Sequence, residues 1–153
     1  MISISQAFAG SLQDAPPMSF FVATSLGGLE LLVIGTPDNR SAVVLSGEDP
    51  FVAYGREFDD WAGLIIRDVA IELDQTCVFD SRTGQAPAGC IILAGDKPYI
   101  RLVGNHGTRY MAAIEDSAQP HQASIGVAFP RWQITLGQGE QKQVLKTIDV
   151  GPK

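Results

Sequence analysis

Cysteine and histidine are scarce in this chain of 153 residues, which has two of each: Cys77 and Cys90, His106 and His121. A single pair of cysteines without an export signal is typical of reduced thiols in the cytoplasm, not of a disulfide framework. Along the chain these four side chains lie 13, 16 and 15 residues apart, a spacing that matches no standard zinc site. The sequence therefore predicts a cytoplasmic protein with no metal and no other cofactor.

Long apolar runs are also missing. The longest apolar stretches reach about half of the ~20 residues that a membrane-spanning helix needs. Met1 to Gln13 contains no lysine or arginine, so this segment lacks the basic start of a secretory signal. We expect a soluble protein that neither crosses a membrane nor is exported by that route.

Basic side chains are scarce in one part of the chain only. Residues 1–80 carry 12 acidic and 3 basic side chains, a net charge of −9, whereas residues 81–153 carry 5 acidic and 8 basic ones, a net charge of +3. The total of −6 argues against nucleic acid as a partner, because that binding depends on lysine and arginine. The split predicts acidic and basic surfaces that meet, either within one chain or between copies.

What the chain does contain is a series of short apolar runs. About 45% of the residues are hydrophobic. Runs rich in valine, isoleucine and aromatic residues recur between glycine, proline, asparagine and aspartate, as in all-β proteins. We therefore predict an all-β fold, a single-domain antiparallel sandwich or barrel with at most one or two short helices.

No repeat or linker divides the chain, so residues 18–153 are predicted to form a single β domain. Residues 1–17 are expected to be an N-terminal arm or a short helix. Ile4, Ala7, Phe8 and Leu12 fall at helical spacing, although Ile2 and Ile4 alternate as in a strand, and Pro16 and Pro17 separate the segment from the body. Such an arm can dock on a neighbouring subunit or only cover a sheet edge.

Three carboxylates alternate along one predicted strand. Between Arg67 and Asp74 the period of two places Asp68, Glu72 and Asp74 on one face, with successive same-face positions about 6.6 Å apart. Such carboxylates can share a divalent ion or flank a substrate, and with His106 they would make a small hydrolase. The alternative is the ordinary solvated face of an antiparallel sheet.

A second candidate lies between Gly47 and Trp61, where five acidic and four aromatic residues are concentrated. Exposed rings among acids are typical of a surface that binds a basic partner. The candidate binding residues here are Glu48, Asp49, Tyr54, Glu57, Asp59, Asp60 and Trp61. In the alternative interpretation, Phe51, Phe58 and Trp61 are core anchors and the acids only keep the segment soluble.

The third candidate is a basic hairpin around Gly104 to Gly107. An even loop would pair Val103 with Thr108 and place Arg101 and Arg109, both candidate binding residues, on opposite faces. One of these arginines would then point toward the core and need a carboxylate from the Asp68 to Asp74 strand.

None of the standard nucleophile, phosphate-loop or dinucleotide motifs occurs in the sequence. The leading hypothesis is a non-catalytic interaction or assembly protein with complementary acidic and basic surfaces, binding a protein partner or itself as a homo-oligomer. A carboxylate-dependent or metal-dependent hydrolase is the first alternative. The second is an acidic inhibitor or immunity-type protein that binds a basic partner.

Overall fold

The structure, a computed structural model, describes residues 6–76, 79–80, 86–118 and 126–151. Within them lie 14 strands and four 3-10 helices of three residues each. The strands are β1 Ala7–Ser11, β2 Ser19–Ala23, β3 Leu29–Gly35, β4 Arg40–Val44, β5 Ala53–Tyr54, β6 Ala62–Ile66, β7 Ala70–Leu73, β8 Phe79–Asp80, β9 Ile91–Ala94, β10 Lys97–Val103, β11 Arg109–Ala113, β12 Val127–Phe129, β13 Arg131–Leu136 and β14 Gln143–Asp149. The 3-10 helices are Leu12–Asp14, Thr24–Leu26, Asn105–Gly107 and Gly139–Gln141.

The strands form three antiparallel sheets. Sheet I has the order β1-β6-β2-β3-β4-β5, sheet II has the order β11-β10-β9-β12-β8, and sheet III has the order β14-β13-β7. The predicted all-β antiparallel fold is thus confirmed. Short helices are more numerous than the one or two expected, because single 3-10 turns cap several strand connections in the described part of the chain.

One apolar core joins the three sheets. Phe20 and Leu32 come from sheet I, Ile100 from sheet II, and Ile134 and Trp132 from sheet III. Trp132 is fully buried, and its indole Nε1 donates a 2.7 Å hydrogen bond to a backbone carbonyl, which satisfies the one polar group of the ring.

The central strands of sheet I are buried on both faces. Its second face carries Phe21, Leu31 and Ile65 and is covered by Leu12 and Ala15. A strand with two buried faces cannot alternate apolar with polar residues, which explains the nearly continuous apolar sequence of β3. The described segment before β2, residues 6–18, is therefore part of the fold, because Leu12 and Ala15 cover this second face.

The N-terminal segment is mainly a strand, and not the helix that its apolar spacing indicates. Ala7–Ser11 form an edge strand whose residues pair with β6, from Ala7 opposite Ile66 to Ser11 opposite Ala62. Only Leu12–Asp14 are helical, as one 3-10 turn. Backbone pairing with β6 and burial of Leu12 outweigh the weak helical pattern. Residues 1–5 lie outside the described part.

The strand predicted between Arg67 and Asp74 begins only at Ala70, and the apolar run before it, Ala62–Ile66, is a separate strand. Strand β6 belongs to sheet I and β7 to sheet III. Between them Asp68 adopts a left-handed backbone, with φ 59°, a conformation that aspartate tolerates better than most residues. The chain turns there, so the alternation of side chains does not continue through Asp68.

Of the two cysteines, one lies among the residues that the structure describes. Cys90 is buried, and Cys77 lies outside the described residues. Across the described ranges, every helix is too short or too polar to cross a membrane.

Candidate functional site

Residues 48–61, which we call the acidic loop, leave β4, form the short strand β5 and return to β6. The first part of the loop is anchored by Phe51, which is 7% exposed and belongs to the main core. The Phe51 backbone is left-handed, with φ 67°. Its carbonyl accepts a 2.9 Å hydrogen bond from the Val103 amide. Phe51 is therefore a core anchor, as the alternative interpretation of this segment expected.

The other three rings of the acidic loop contact one another. Phe58 stacks on Trp61 with a centroid distance of 4.2 Å, and Tyr54 meets the Phe58 ring edge-on at 4.7 Å. The three side chains are half-buried and pack against the second face of sheet I. This aromatic trio, Tyr54, Phe58 and Trp61, thus packs on sheet I with one side and is exposed to solvent on the other. It is neither a fully exposed binding surface nor a set of core anchors, the two alternatives that the sequence offered.

Four of the five acidic side chains of the loop are open to solvent. Glu48, Asp49, Glu57 and Asp60 are exposed. None of them forms an ion pair with the residues that the structure describes. The loop therefore presents unneutralised negative charge beside a partly exposed aromatic trio.

The fifth acid, Asp59, has a structural role instead. Its Oδ1 lies 3.2 Å from Nη2 of Arg40, whose side chain is only 13% exposed. Nη1 of Arg40 also donates to the carbonyls of Leu12, at 3.0 Å, and Ala15, at 2.8 Å. Arg40 thus fastens the acidic loop to the segment that covers sheet I.

The candidate carboxylates Glu72 and Asp74 lie at β7, and both are paired with cations. Nζ of Lys142 lies 3.0 Å from Oε2 of Glu72, and Nη1 of Arg131 lies 3.4 Å from Oδ2 of Asp74. Both carboxylates line a small cavity of about 230 Å³. Hydrogen bonds from Thr76, supported by Arg131, lower the pKa of Asp74 below 3.8. A general acid needs a raised pKa, so this shift opposes acid catalysis by Asp74.

The structure does not bring the other two predicted catalytic residues to that cavity. Asp68 is exposed in the turn between β6 and β7, outside any strand. His106 lies in the exposed 3-10 turn between β10 and β11 of sheet II. The expectation of Asp68, Glu72 and Asp74 on one strand face is wrong at Asp68, because the left-handed turn breaks the alternation.

The register of the basic hairpin also differs from the expected one. Val103 pairs with Arg109, and Arg101 pairs with Met111. The connecting loop has five residues because His106 and Gly107 take left-handed backbones, with φ 62° and 74°. An odd loop shifts the pairing by one residue, so Arg101 and Arg109 share a face instead of lying on opposite faces.

Neither of these arginines pairs with the β7 carboxylates, so that expectation is wrong as well. Arg109 is exposed and donates to the Ala86 carbonyl at 3.4 Å. Nε of Arg101 is buried and finds no hydrogen-bond partner among the residues that the structure describes. Arg101 on β10 and Arg109 on β11 lie on the face of sheet II that is opposite the main core. Ile100 and Leu102, the neighbours of Arg101, occupy the core face.

Part of the charge split is nevertheless neutralised within the chain. Among the described residues, three ion pairs join a cation of the second half to an acid of the first: Arg131 to Asp74 at 3.4 Å, Lys142 to Glu72 at 3.0 Å, and Lys146 to Glu30 at 2.8 Å. All three cations lie on or next to sheet III. Of the described acids in residues 1–80 that form no ion pair with another described residue, the largest group lies in the acidic loop.

Sequence reasoning missed a groove on the second face of sheet I. It has a volume of about 440 Å³ and is lined by Arg40, Arg56 and Arg67 together with Asp14 and Asp59. The available signal was the rarity of arginine and lysine in residues 1–80, since all three basic side chains of that part line this one groove.

Metal ligation finds no support in the described ranges, where no group of three or more histidine, cysteine or acidic side chains could hold an ion. Of the four side chains weighed for zinc, Cys77 and His121 lie outside those ranges.

Comparison with known proteins identifies relatives without an assigned activity. A family model described as "Uncharacterised protein y4lG" matches residues 9–153. The chain is 33% identical over 147 residues to "Uncharacterized protein y4lG" of Sinorhizobium fredii. The aligned region covers 95% of this chain and 91% of the relative. No solved structure matches the chain. The match over nearly the whole length shows that this chain belongs to the y4lG family.

Proposed function

We propose that this protein is a non-catalytic interaction protein that binds a basic protein partner through the acidic loop. The observation that carries this proposal is the aromatic trio of Tyr54, Phe58 and Trp61 beside the exposed acids Glu57 and Asp60. Rigid rings supply contact area at little entropic cost, and such residues dominate the binding energy of many interfaces.

The charge of the loop selects the class of partner. Because Glu48, Asp49, Glu57 and Asp60 have no cation from the described residues, their field extends into solvent. Complementary charge accelerates association and excludes acidic competitors more than it adds affinity. A partner with lysines or arginines around an apolar patch fits this surface.

Self-association is the second form of the proposal. Arg101 and Arg109 share one face of sheet II and offer a basic surface to the acidic loop of another copy. The homo-oligomer would be held by this contact. A different partner is favoured, because Arg131, Lys142 and Lys146 are already paired within the chain.

We place the interaction in the cytoplasm, where a buried thiol such as that of Cys90 stays reduced. Catalysis by Glu72 and Asp74 has less support, because both carboxylates are held by cations and the pKa of Asp74 is lowered.

The test uses stopped flow at low and high salt. It measures the rate at which the protein binds a fluorescent, arginine-rich peptide that contains tryptophan. The variant is the double charge reversal Glu57→Lys with Asp60→Lys. Asp59 is left intact, because its ion pair with Arg40 supports the fold. The matched control, Asp96→Lys with Glu140→Lys, makes the same charge change at two exposed sites of other loops.

We expect the loop variant to slow association roughly tenfold at low salt and the control to change the rate much less. Equal losses in both variants would mean that only net charge matters and would refute a localised surface. Size-exclusion chromatography with light scattering, at both salt concentrations, tests self-association. A monomer at micromolar concentration in both would remove the homo-oligomer.

A further inference from the structure

The groove on the second face of sheet I gathers positive charge in an otherwise acidic part of the chain. Residues 1–80 have 12 acidic side chains and only 3 basic ones, yet Arg40, Arg56 and Arg67 all line this groove. Strand β4 supplies Arg40, the acidic loop supplies Arg56, and the residue after β6 is Arg67. Chain segments far apart in sequence therefore converge on one site.

The two carboxylates of the groove are already engaged. Asp59 pairs with Arg40 at 3.2 Å. Oδ2 of Asp14 accepts hydrogen bonds from the backbone amide and the hydroxyl of Ser11, both at 3.1 Å. These contacts organise the walls of the groove, and they leave its other two guanidinium groups without a carboxylate partner in the part of the chain that the structure describes.

Arg56 and Arg67 are both exposed and form no ion pair with any residue that the structure describes. The guanidinium of Arg67 lies over the Phe8 ring, 4.9 Å from its centroid. This contact orients the group by cation–π attraction while its N–H donors stay available. Both cations line the same groove, and like charges on its walls repel each other unless an anion is bound there.

We propose that this groove binds a small organic anion whose carboxylate or phosphate group is held by Arg56 and Arg67. A guanidinium presents paired donors that match both groups in a bidentate arrangement. Arg40 is a positioning residue, because its donors are used to hold Asp59 and the carbonyls of Leu12 and Ala15.

The rest of the lining predicts an apolar portion in the ligand. Phe8, Pro16, Pro17 and Pro37 form apolar walls around the arginines. The volume of about 440 Å³ falls within the range of small-molecule sites, roughly 300 to 1,000 Å³. A planar or aliphatic group that carries one anion fills such a space.

This site goes beyond the proposed function. Arg56 belongs to the acidic loop, but the two surfaces use different side chains to contact their ligands. The groove takes an anion, whereas the acidic loop takes a basic protein through Glu57 and Asp60. Either proposal can therefore fail while the other stands.

Calorimetric titration of the full chain with benzoate, phenyl phosphate and the neutral benzyl alcohol tests the proposal. We expect saturable binding of at least one of the two anions, weakened by added salt, and no binding of benzyl alcohol. The preferred anion identifies the ligand as a carboxylate or a phosphate. Absence of saturable binding of both anions would overturn the proposal.

The variants Arg56→Gln and Arg67→Gln locate the binding. Each should weaken it about tenfold, the effect expected from losing one charge-assisted contact. Arg109→Gln is the control, because it removes the same charge from an exposed arginine of sheet II. Affinities that are equal in all three variants would overturn the proposal. Thermal unfolding of each variant confirms folding.

Discussion

Nη2 of Arg40 lies 3.2 Å from Oδ1 of Asp59, and this ion pair supports two surfaces at once. On one side it fastens the acidic loop, which carries Glu57 and Asp60. On the other side it forms part of the wall of the arginine-lined groove. The two proposed binding surfaces therefore share a structural support without sharing the side chains that contact a ligand.

Replacing Arg40 with methionine should lower the free energy of unfolding by about 3 kcal/mol. The substitution keeps the apolar stem but leaves Asp59 and the carbonyls of Leu12 and Ala15 without their donor in a mostly buried place. Urea unfolding measures the loss. The control Arg109→Met changes an exposed arginine and should stay within about 0.5 kcal/mol. A similar cost for both variants would show that Arg40 is not structural.

Replacing Trp132 with phenylalanine should cost about 2 kcal/mol. The indole Nε1 donates to the Gly89 carbonyl at 2.7 Å, and without it that buried carbonyl loses its partner. Trp61→Phe is the matched change at the half-buried tryptophan of the aromatic trio and should cost less than about 1 kcal/mol. Thermal or urea unfolding compares the two. If Trp61→Phe proved the more costly, the role given to the Trp132 hydrogen bond would be wrong.

The pKa of Asp74 should lie below 3.8 and rise toward that value in Thr76→Val. The Thr76 hydroxyl donates to Oδ1 of Asp74 at 2.6 Å, and this contact is the largest cause of the lowered pKa. Titration of the carboxyl group by NMR measures the change. Thr108→Val, in the β10–β11 turn, serves as the control and should leave the pKa of Asp74 as it was.

The same pKa shift determines how Asp74 contributes to stability. A carboxyl group with a lowered pKa in the folded state stabilises the fold above the pKa of the unfolded chain, 3.8, and this contribution is lost as the pH falls through the folded-state pKa. Thr76→Val removes the largest cause of the lowered pKa and so brings the folded-state and unfolded-state pKa values of Asp74 closer without making them equal, because the backbone amide of residue 76 and Arg131 still lower the folded-state value. The acid-induced loss of stability should therefore become smaller. An unchanged acid limb of the stability curve would contradict this linkage.

The ion pair between Lys146 and Glu30 should show measurable coupling. Nζ of Lys146 lies 2.8 Å from Oε1 of Glu30, and each side chain is about one quarter exposed. A double-mutant cycle with Lys146→Met and Glu30→Gln should give a coupling energy of about 0.5 to 1 kcal/mol, reduced by high salt. The more exposed pair of Lys142 and Glu72 provides a comparison and should couple less. Equal coupling in both pairs would contradict the effect assigned to burial.

The candidate surfaces were predictable to different degrees. The acidic loop could be located from sequence because its acids and rings are contiguous. Its separation into a core anchor at Phe51, a surface trio and a structural acid at Asp59 required the structure. These roles depend on contacts with distant residues, such as the hydrogen bond from Val103 to Phe51 and the ion pair of Arg40 with Asp59. The arginine groove was not predicted, because its residues come from three separate segments.

The hairpin of Arg101 and Arg109 shows how a small local error changes an entire face. Both strands were predicted in nearly the correct places, but one extra loop residue moved every cross-strand pair. The side chains of a strand alternate with a period of two, so a shift of one residue places a partner on the other face.

The amino-acid sequence by itself determined the all-β class and the spacing of most strands, because side-chain alternation and turn residues act through local backbone geometry. It also determined that acidic side chains would predominate before residue 81 and basic ones after it. Only the tertiary structure decided which charges meet. Arg131, Lys142 and Lys146 neutralise acids of the first half, while the acidic loop and the groove of Arg56 and Arg67 keep their charge. Charge pairing depends on distances of a few ångströms between segments far apart in the chain, and local sequence patterns carry no record of those distances.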